Sequence, residues 1–147
     1  MKNTVLVVDD EQDIRQSIAN ILEDEGFEVC EADDSEGAFQ ALKEKNIALV
    51  LLDIWLNRND LDGLQILQRI KKDRPKQPVI MISGHGNIET AVNSIKAGAY
   101  EFIEKPFQAD KLILLVKRAL EAEGLRQENL ELRKRVGFNE ELIGDSI

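Results

Sequence analysis

Residues 49–53 read Leu49-Val50-Leu51-Leu52-Asp53, four consecutive aliphatic residues followed by a carboxylate. An aliphatic run without polar alternation is typical of a β-strand that is buried on both faces of a parallel sheet. A carboxylate at the C-terminal end of such a strand would lie at the edge where open α/β sheets bind their ligands. The alternative is an Asp that merely caps the next loop, and this stretch alone does not decide between the two.

The same kind of strand pattern recurs on both sides of this stretch and alternates with helical patterns. Short aliphatic runs predict strands, and apolar residues at helical spacing predict helices that stop before Gly or Pro. Five such units predict an α/β fold with a doubly wound, parallel five-stranded sheet and an extended C-terminal helix that begins at residue 110. The predicted strands cover residues 4–8, 27–30, 47–52, 79–82 and 100–103.

Composition and charge disfavour several classes of protein. The 147 residues carry a formal net charge of −9, which argues against binding to nucleic acids or to anionic membrane surfaces. Cys30 is the only cysteine, so neither an intrachain disulfide nor a cysteine cluster for zinc is possible. The sequence has no signal-peptide pattern, and no apolar run approaches the roughly 20 residues of a membrane span. We therefore expect a soluble, cytoplasmic protein.

Polar side chains follow four of the five predicted strands. The first strand ends at Asp9 and Asp10, the third at Asp53 and the fourth at Ser83, and the fifth leads to Lys105. Because parallel strands end at one edge of the sheet, these side chains can converge there. Each has a simpler explanation when taken alone, as a helix cap, a loop residue or a solvated lysine. Their occurrence at the same end of four different strands favours a common site.

The residue types at this edge suit the transfer of a phosphoryl group onto a carboxylate. Three carboxylates in one cleft repel each other, and oxygen ligands of this kind suit Mg²⁺. A lysine supplies a fixed positive charge, and a serine hydroxyl can donate to an anionic oxygen. Together these groups would stabilise a phosphoryl group that moves onto an aspartate.

Four motifs resemble those of the receiver domain of two-component response regulators, over about residues 3–120. They are VVDDE at 7–11, LLDIW at 51–55, ISGHG at 82–86 and EKPF at 104–107. The resemblance implies a flavodoxin-like, CheY-like receiver fold and a regulatory phosphoacceptor rather than an enzyme.

Two further stretches resemble nitrogen-regulation activators of the NtrC and NtrX type: GHGNIETAV at 84–92 and GAYEFIEKPF at 98–107. The loop at 54–63 is longer than in most receivers and lacks their proline, which points to NtrX-like members.

The resemblance implies a role for each matching acidic residue. Asp53 would accept the phosphoryl group from a sensor histidine kinase and would also be a ligand of Mg²⁺. Asp10 would bind Mg²⁺ directly, with Asp9 beside it acting through water, and the backbone carbonyl of Trp55 would be a further ligand.

Three other matches concern the switch and the phosphoryl group. Ser83 matches the switch hydroxyl, Phe102 the switch aromatic and Lys105 the lysine that contacts the phosphate. The bond between Lys105 and Pro106 is expected to be cis, a form that X-Pro bonds adopt at modest cost.

The resemblance also divides the chain. Residues 1–120 would be the receiver, 121–138 a helical linker with a possible coiled coil, and 139–147 the start of a sigma-54-interacting AAA+ domain. The chain would then be the N-terminal part of a transcriptional activator whose AAA+ and DNA-binding domains the receiver regulates.

A heptad-like pattern in the last helix and linker predicts a weak homodimer, although a single helix is the alternative. Gly124 and Arg118 weaken the pattern, because glycine disfavours helix and a charge disfavours an apolar seam. The predicted contact residues are Leu115, Ala122, Leu125, Asn129, Leu132 and Val136.

Two rival functions have weaker support. An aspartyl-phosphate phosphohydrolase would resemble this site but needs a second Asp two residues after the first, where this chain has Trp55. A receiver fold used only for docking would not need the whole set of polar residues.

His85, the only histidine, is expected to modulate access to the site rather than to catalyse.

Overall fold

The structure is a computed structural model that describes residues 3–54, 63–84, 88–105 and 107–122. Strands and helices alternate through these ranges, and a fifth helix, α5, is described over 109–122. The other elements are β1 (Thr4–Val8), α1 (Gln12–Asp24), β2 (Glu28–Ala32), α2 (Ser35–Glu44), β3 (Leu49–Asp53), α3 (Gly63–Asp73), β4 (Val79–Ser83), α4 (Ile88–Lys96) and β5 (Glu101–Glu104).

The five strands form one parallel sheet in the order β2-β1-β3-β4-β5. The predicted (βα)5 fold is therefore confirmed. β3 lies at the centre and all five of its residues are buried, whereas β2 lies at an edge and is largely accessible. Asp53 is itself the last residue of β3, so the sheet directly positions its backbone.

The aliphatic run in β3 is unbroken because both faces of the sheet are covered. Val50 and Leu52 pack into a core on the face that α2 and α3 cover. Leu49 and Leu51 point the other way, into a core formed with α1 and α5. A strand between two such layers needs apolar residues at every position.

The structure changes one expectation for the last helix. Leu115, predicted to contact a second copy of the chain, is buried in the core beside Leu112 and Val116. Its predicted place in a dimer seam is therefore wrong, whereas Ala122 is exposed. The remaining seam residues lie outside the described part of the chain.

Among the described residues, none of the helices combines the length and apolarity needed to cross a bilayer.

Candidate functional site

Three carboxylates meet at the C-terminal edge of the sheet. β1 and β3 are neighbours in the sheet, so Asp9 and Asp10 after β1 approach Asp53 at the end of β3. One carboxylate oxygen from each residue lies within 4.8 Å of the other two. Asp9 and Asp53 are buried and Asp10 is partly buried. This set of hard oxygen donors fits a divalent cation such as Mg²⁺.

Lys105 brings a positive charge to this cluster. Its Nζ lies 3.1 Å from Oδ2 of Asp9 and 3.6 Å from Oδ2 of Asp53. The backbone amide of Lys105 donates to the carbonyl of Ser83 at 2.8 Å, which holds the residue beside the end of β4. The side chain reaches the acidic cluster from there, so the predicted convergence of Asp9, Asp10, Asp53 and Lys105 is observed.

The environment of Lys105 keeps its ammonium protonated. Burial by itself lowers the pKa of Lys105, but the opposing charges of Asp53 and Asp9 and the hydrogen bond to Asp9 outweigh that effect. The carboxylate of Glu11 adds to the same effect, and the net result is a raised pKa. A fixed positive charge is therefore available beside Asp53 at neutral pH.

Hydrogen bonds hold Asp9 from several sides. Its amide donates to the carbonyl of Ala32 at 3.1 Å, and its Oδ1 accepts from the amide of Glu11 at 2.9 Å. Its backbone carbonyl accepts from Nη1 of Arg15 at 2.6 Å. Asp9 thus has both carboxylate oxygens engaged, because Oδ2 also accepts from Lys105.

Sequence reasoning did not single out Arg15. The sequence offered one hint of a role for Arg15, which is its position in the first turns of the helix that follows Asp9 and Asp10. Basic residues are common at such positions on solvated helix faces, so this hint does not distinguish Arg15 from them.

The N-terminus of α3 packs directly on the backbone of Asp53. The amide of Gly63 donates to the carbonyl of Ile54 at 2.9 Å. A Cβ at position 63 would lie 2.2 Å from the carbonyl oxygen of Asp53 and 2.5 Å from Cα of Ile54. Only glycine allows this approach. Sequence reasoning treated Gly63 as the end of a loop and missed this contact.

Ser83 and Phe102 occupy neighbouring strands. Ser83 is fully buried at the end of β4, one residue beyond Ile82, which is paired with Asp53. Phe102 lies in β5 opposite Met81 and packs, partly buried, against the core on the α2 and α3 face. Both therefore lie near the edge that carries the carboxylates, with Phe102 further from it along its strand.

Three predicted residues lie outside the described part of the chain. They are Trp55, His85 and Pro106. The metal-ligand carbonyl, the access role and the cis peptide bond accordingly stay predictions.

Comparisons with known proteins agree with this arrangement. The family model described as the response regulator receiver domain matches residues 5–117. An NtrX-like response regulator of Rickettsia bellii is 56% identical over 142 residues, which cover 97% of this chain and 30% of the relative. The nitrogen assimilation regulatory protein NtrX of Azorhizobium caulinodans is 52% identical over 91% of this chain and 30% of its own length.

Solved structures give the same result. The receiver domain of NtrX from Brucella abortus is 59% identical and superimposes with a TM-score of 0.77, over 80% of this chain and 98% of that domain. The chain spans about 30% of the length of the curated relatives that it matches. This chain therefore belongs to the response regulator receiver domain family, whose members are regulatory phosphoacceptors rather than true enzymes, and within that family it is similar to NtrX.

Proposed function

We propose that this receiver accepts a phosphoryl group on Asp53 from a sensor histidine kinase, in a reaction that needs Mg²⁺. The observation that carries the proposal is the convergence of three carboxylates within 4.8 Å with the ammonium of Lys105 beside two of them. Asp10 and Asp53 would bind the metal directly, and Asp9, whose carboxylate oxygens already accept hydrogen bonds, would act through water.

In the reaction, a carboxylate oxygen of Asp53 attacks the phosphorus atom and forms an acyl phosphate. The bond between phosphorus and the donor atom breaks, and the donor keeps the electron pair. Bound Mg²⁺ would supply positive charge against the phosphoryl oxygens. Lys105 would move its ion pairing from the carboxylates to the phosphoryl group, and the buried hydroxyl of Ser83 would donate a hydrogen bond to it.

The response would be a population shift that starts at the phosphorylated residue. Movement of Ser83 and Phe102 would bias α4, β5 and the exposed face of α5. By similarity to NtrX, the receiver would control AAA+ and DNA-binding domains of a longer cytoplasmic regulator of nitrogen assimilation. Residues 1–120 would form the receiver, 121–138 the linker and 139–147 the start of the AAA+ domain.

A weak homodimer is part of the proposal. Among the described residues, large apolar side chains are exposed on α4, just before β5 and on α5, and most of them stand at helical spacing on one face of α4. Large apolar side chains that are exposed to solvent in this way favour association. The exposed residues are Ile88, Val92, Ile95, Tyr100 and Leu114.

Mass spectrometry of the intact chain tests the phosphoacceptor. Incubation with Mg²⁺ and acetyl phosphate should add the mass of one phosphoryl group, and Asp53→Asn should abolish the addition. Asp13→Asn, which removes an exposed carboxylate from α1, should leave it unchanged. An equal mass gain in Asp53→Asn would contradict the assignment, and no gain in the wild type would indicate a receiver fold that serves docking alone.

A further inference from the structure

Arg15 connects the acidic site to two elements that surround it. Its Nη1 donates to the backbone carbonyl of Asp9 at 2.6 Å, and its Nε pairs with Oε1 of Glu31 at 3.3 Å. The side chain of Arg15 is 15% exposed, so the guanidinium is held within the fold rather than solvated. It thereby links α1, the end of β2 and the loop that carries the carboxylates.

The carbonyl of Asp9 determines the direction of the next residue. That carbonyl and the amide of Asp10 belong to one planar peptide unit, so a rotation of the plane moves Cα of Asp10 and its carboxylate. The amide of Asp9 is already tied to Ala32 at 3.1 Å on the preceding side. A short, charge-assisted hydrogen bond from Arg15 restrains the peptide unit on the following side.

We propose that Arg15 is a positioning residue for metal binding, which aims the Asp10 carboxylate at Asp53 before the metal arrives. The inference rests on the proposed function and deepens it, because it concerns the affinity of the same site for Mg²⁺. Loss of a group that orients a metal ligand typically weakens metal binding by about 10- to 100-fold. Arg15 holds the peptide unit before Asp10 rather than the Asp10 carboxylate itself, so a change at the lower end of this range, about 10-fold, is expected here.

Calorimetric titration of the full chain with Mg²⁺ tests this role. Arg15→Ala should raise the dissociation constant for Mg²⁺ by about 10-fold. Arg15→Lys should restore part of the affinity, because an ammonium can make a single hydrogen bond to the Asp9 carbonyl. Arg69→Ala is the matched control, since it removes the same charged side chain from α3, where the guanidinium lies over the ring of Phe39. Its affinity for Mg²⁺ should equal that of the wild type.

Phosphorylation by acetyl phosphate gives a second readout. The rate in Arg15→Ala should fall at low Mg²⁺ and recover at saturating Mg²⁺, because only the position of a ligand is disturbed. A variant that unfolds more easily but binds Mg²⁺ as the wild type does would overturn the inference and leave the proposed function standing. If Arg15→Ala does not fold, Arg15→Met decides, because it keeps a long aliphatic side chain but has no donor for the Asp9 carbonyl, and wild-type affinity in that variant would also overturn the inference. A wild-type chain that binds no Mg²⁺ would overturn both the role of Arg15 and the proposed function.

Discussion

Replacement of Asp10 by Asn should stabilise the metal-free fold and remove its stabilisation by Mg²⁺. Asp9, Asp10 and Asp53 place carboxylate oxygens within 4.8 Å of one another, and two of these residues are buried. Lys105 pairs with Asp9 and Asp53, which leaves the cluster with a net negative charge. An isosteric amide at position 10 removes one of the repelling charges and one of the metal ligands together.

The size of the effect follows from the separation of the charges. Two unit charges 4.8 Å apart repel by about 3.5 kcal/mol at an effective dielectric constant of about 20. Solvent screening of the partly accessible Asp10 and its attraction to Lys105 both reduce this value. A net increase of about 1–2 kcal/mol in the free energy of unfolding is therefore expected, or roughly 3–10 °C in melting temperature for a domain of this size.

Urea unfolding with EDTA and with excess Mg²⁺ measures both effects. The wild type should gain about 2.7 kcal/mol when Mg²⁺ is present at 100 times its dissociation constant. Asp10→Asn should gain much less. Glu23→Gln, which neutralises an exposed carboxylate on α1, is the control and should change the free energy of unfolding by no more than about 0.5 kcal/mol.

Two results would refute this reasoning. If Asp10→Asn is less stable than the wild type in EDTA, the carboxylate makes favourable contacts that outweigh repulsion. If Mg²⁺ stabilises both proteins equally, Asp10 is not a ligand.

Further substitutions test other parts of the site. Gly63→Ala would place Cβ 2.2 Å from the carbonyl oxygen of Asp53. The substitution should therefore destabilise the fold by about 3 kcal/mol or more and slow phosphorylation. An unchanged free energy of unfolding in urea would contradict the close approach. Lys105→Met should cost about 3 kcal/mol, because it leaves the buried carboxylate of Asp9 without its ion pair. Because the pKa of Lys105 is raised in the folded protein, its contribution to stability is complete below pH 10.5 and is lost as the pH rises through the folded-state pKa. The difference in free energy of unfolding between the wild type and Lys105→Met, measured with urea, should therefore become smaller as the pH rises above the folded-state pKa of Lys105. Ile88→Lys should weaken dimerisation in analytical ultracentrifugation, and a wild type that stays monomeric at about millimolar concentration would refute the proposed dimer.

The sequence alone determined the layers of the fold and the edge that carries the site. Periodicity is a local property, so unbroken aliphatic runs identified buried strands and helical spacing identified the helices between them. Parallel topology then required Asp9, Asp10, Asp53 and Lys105 to share one edge, wherever the helices packed. This is why the carboxylate cluster was predictable without coordinates.

Only the tertiary structure decided which side chains support that cluster. Arg15 finds the Asp9 carbonyl and Gly63 meets the Asp53 backbone because α1 and α3 pack on the sheet at particular positions. Leu115 fits a heptad pattern equally well, yet it faces the core of its own chain. An apolar residue at helical spacing shows that one helix face is buried but not against which partner, because that depends on contacts between residues distant in sequence.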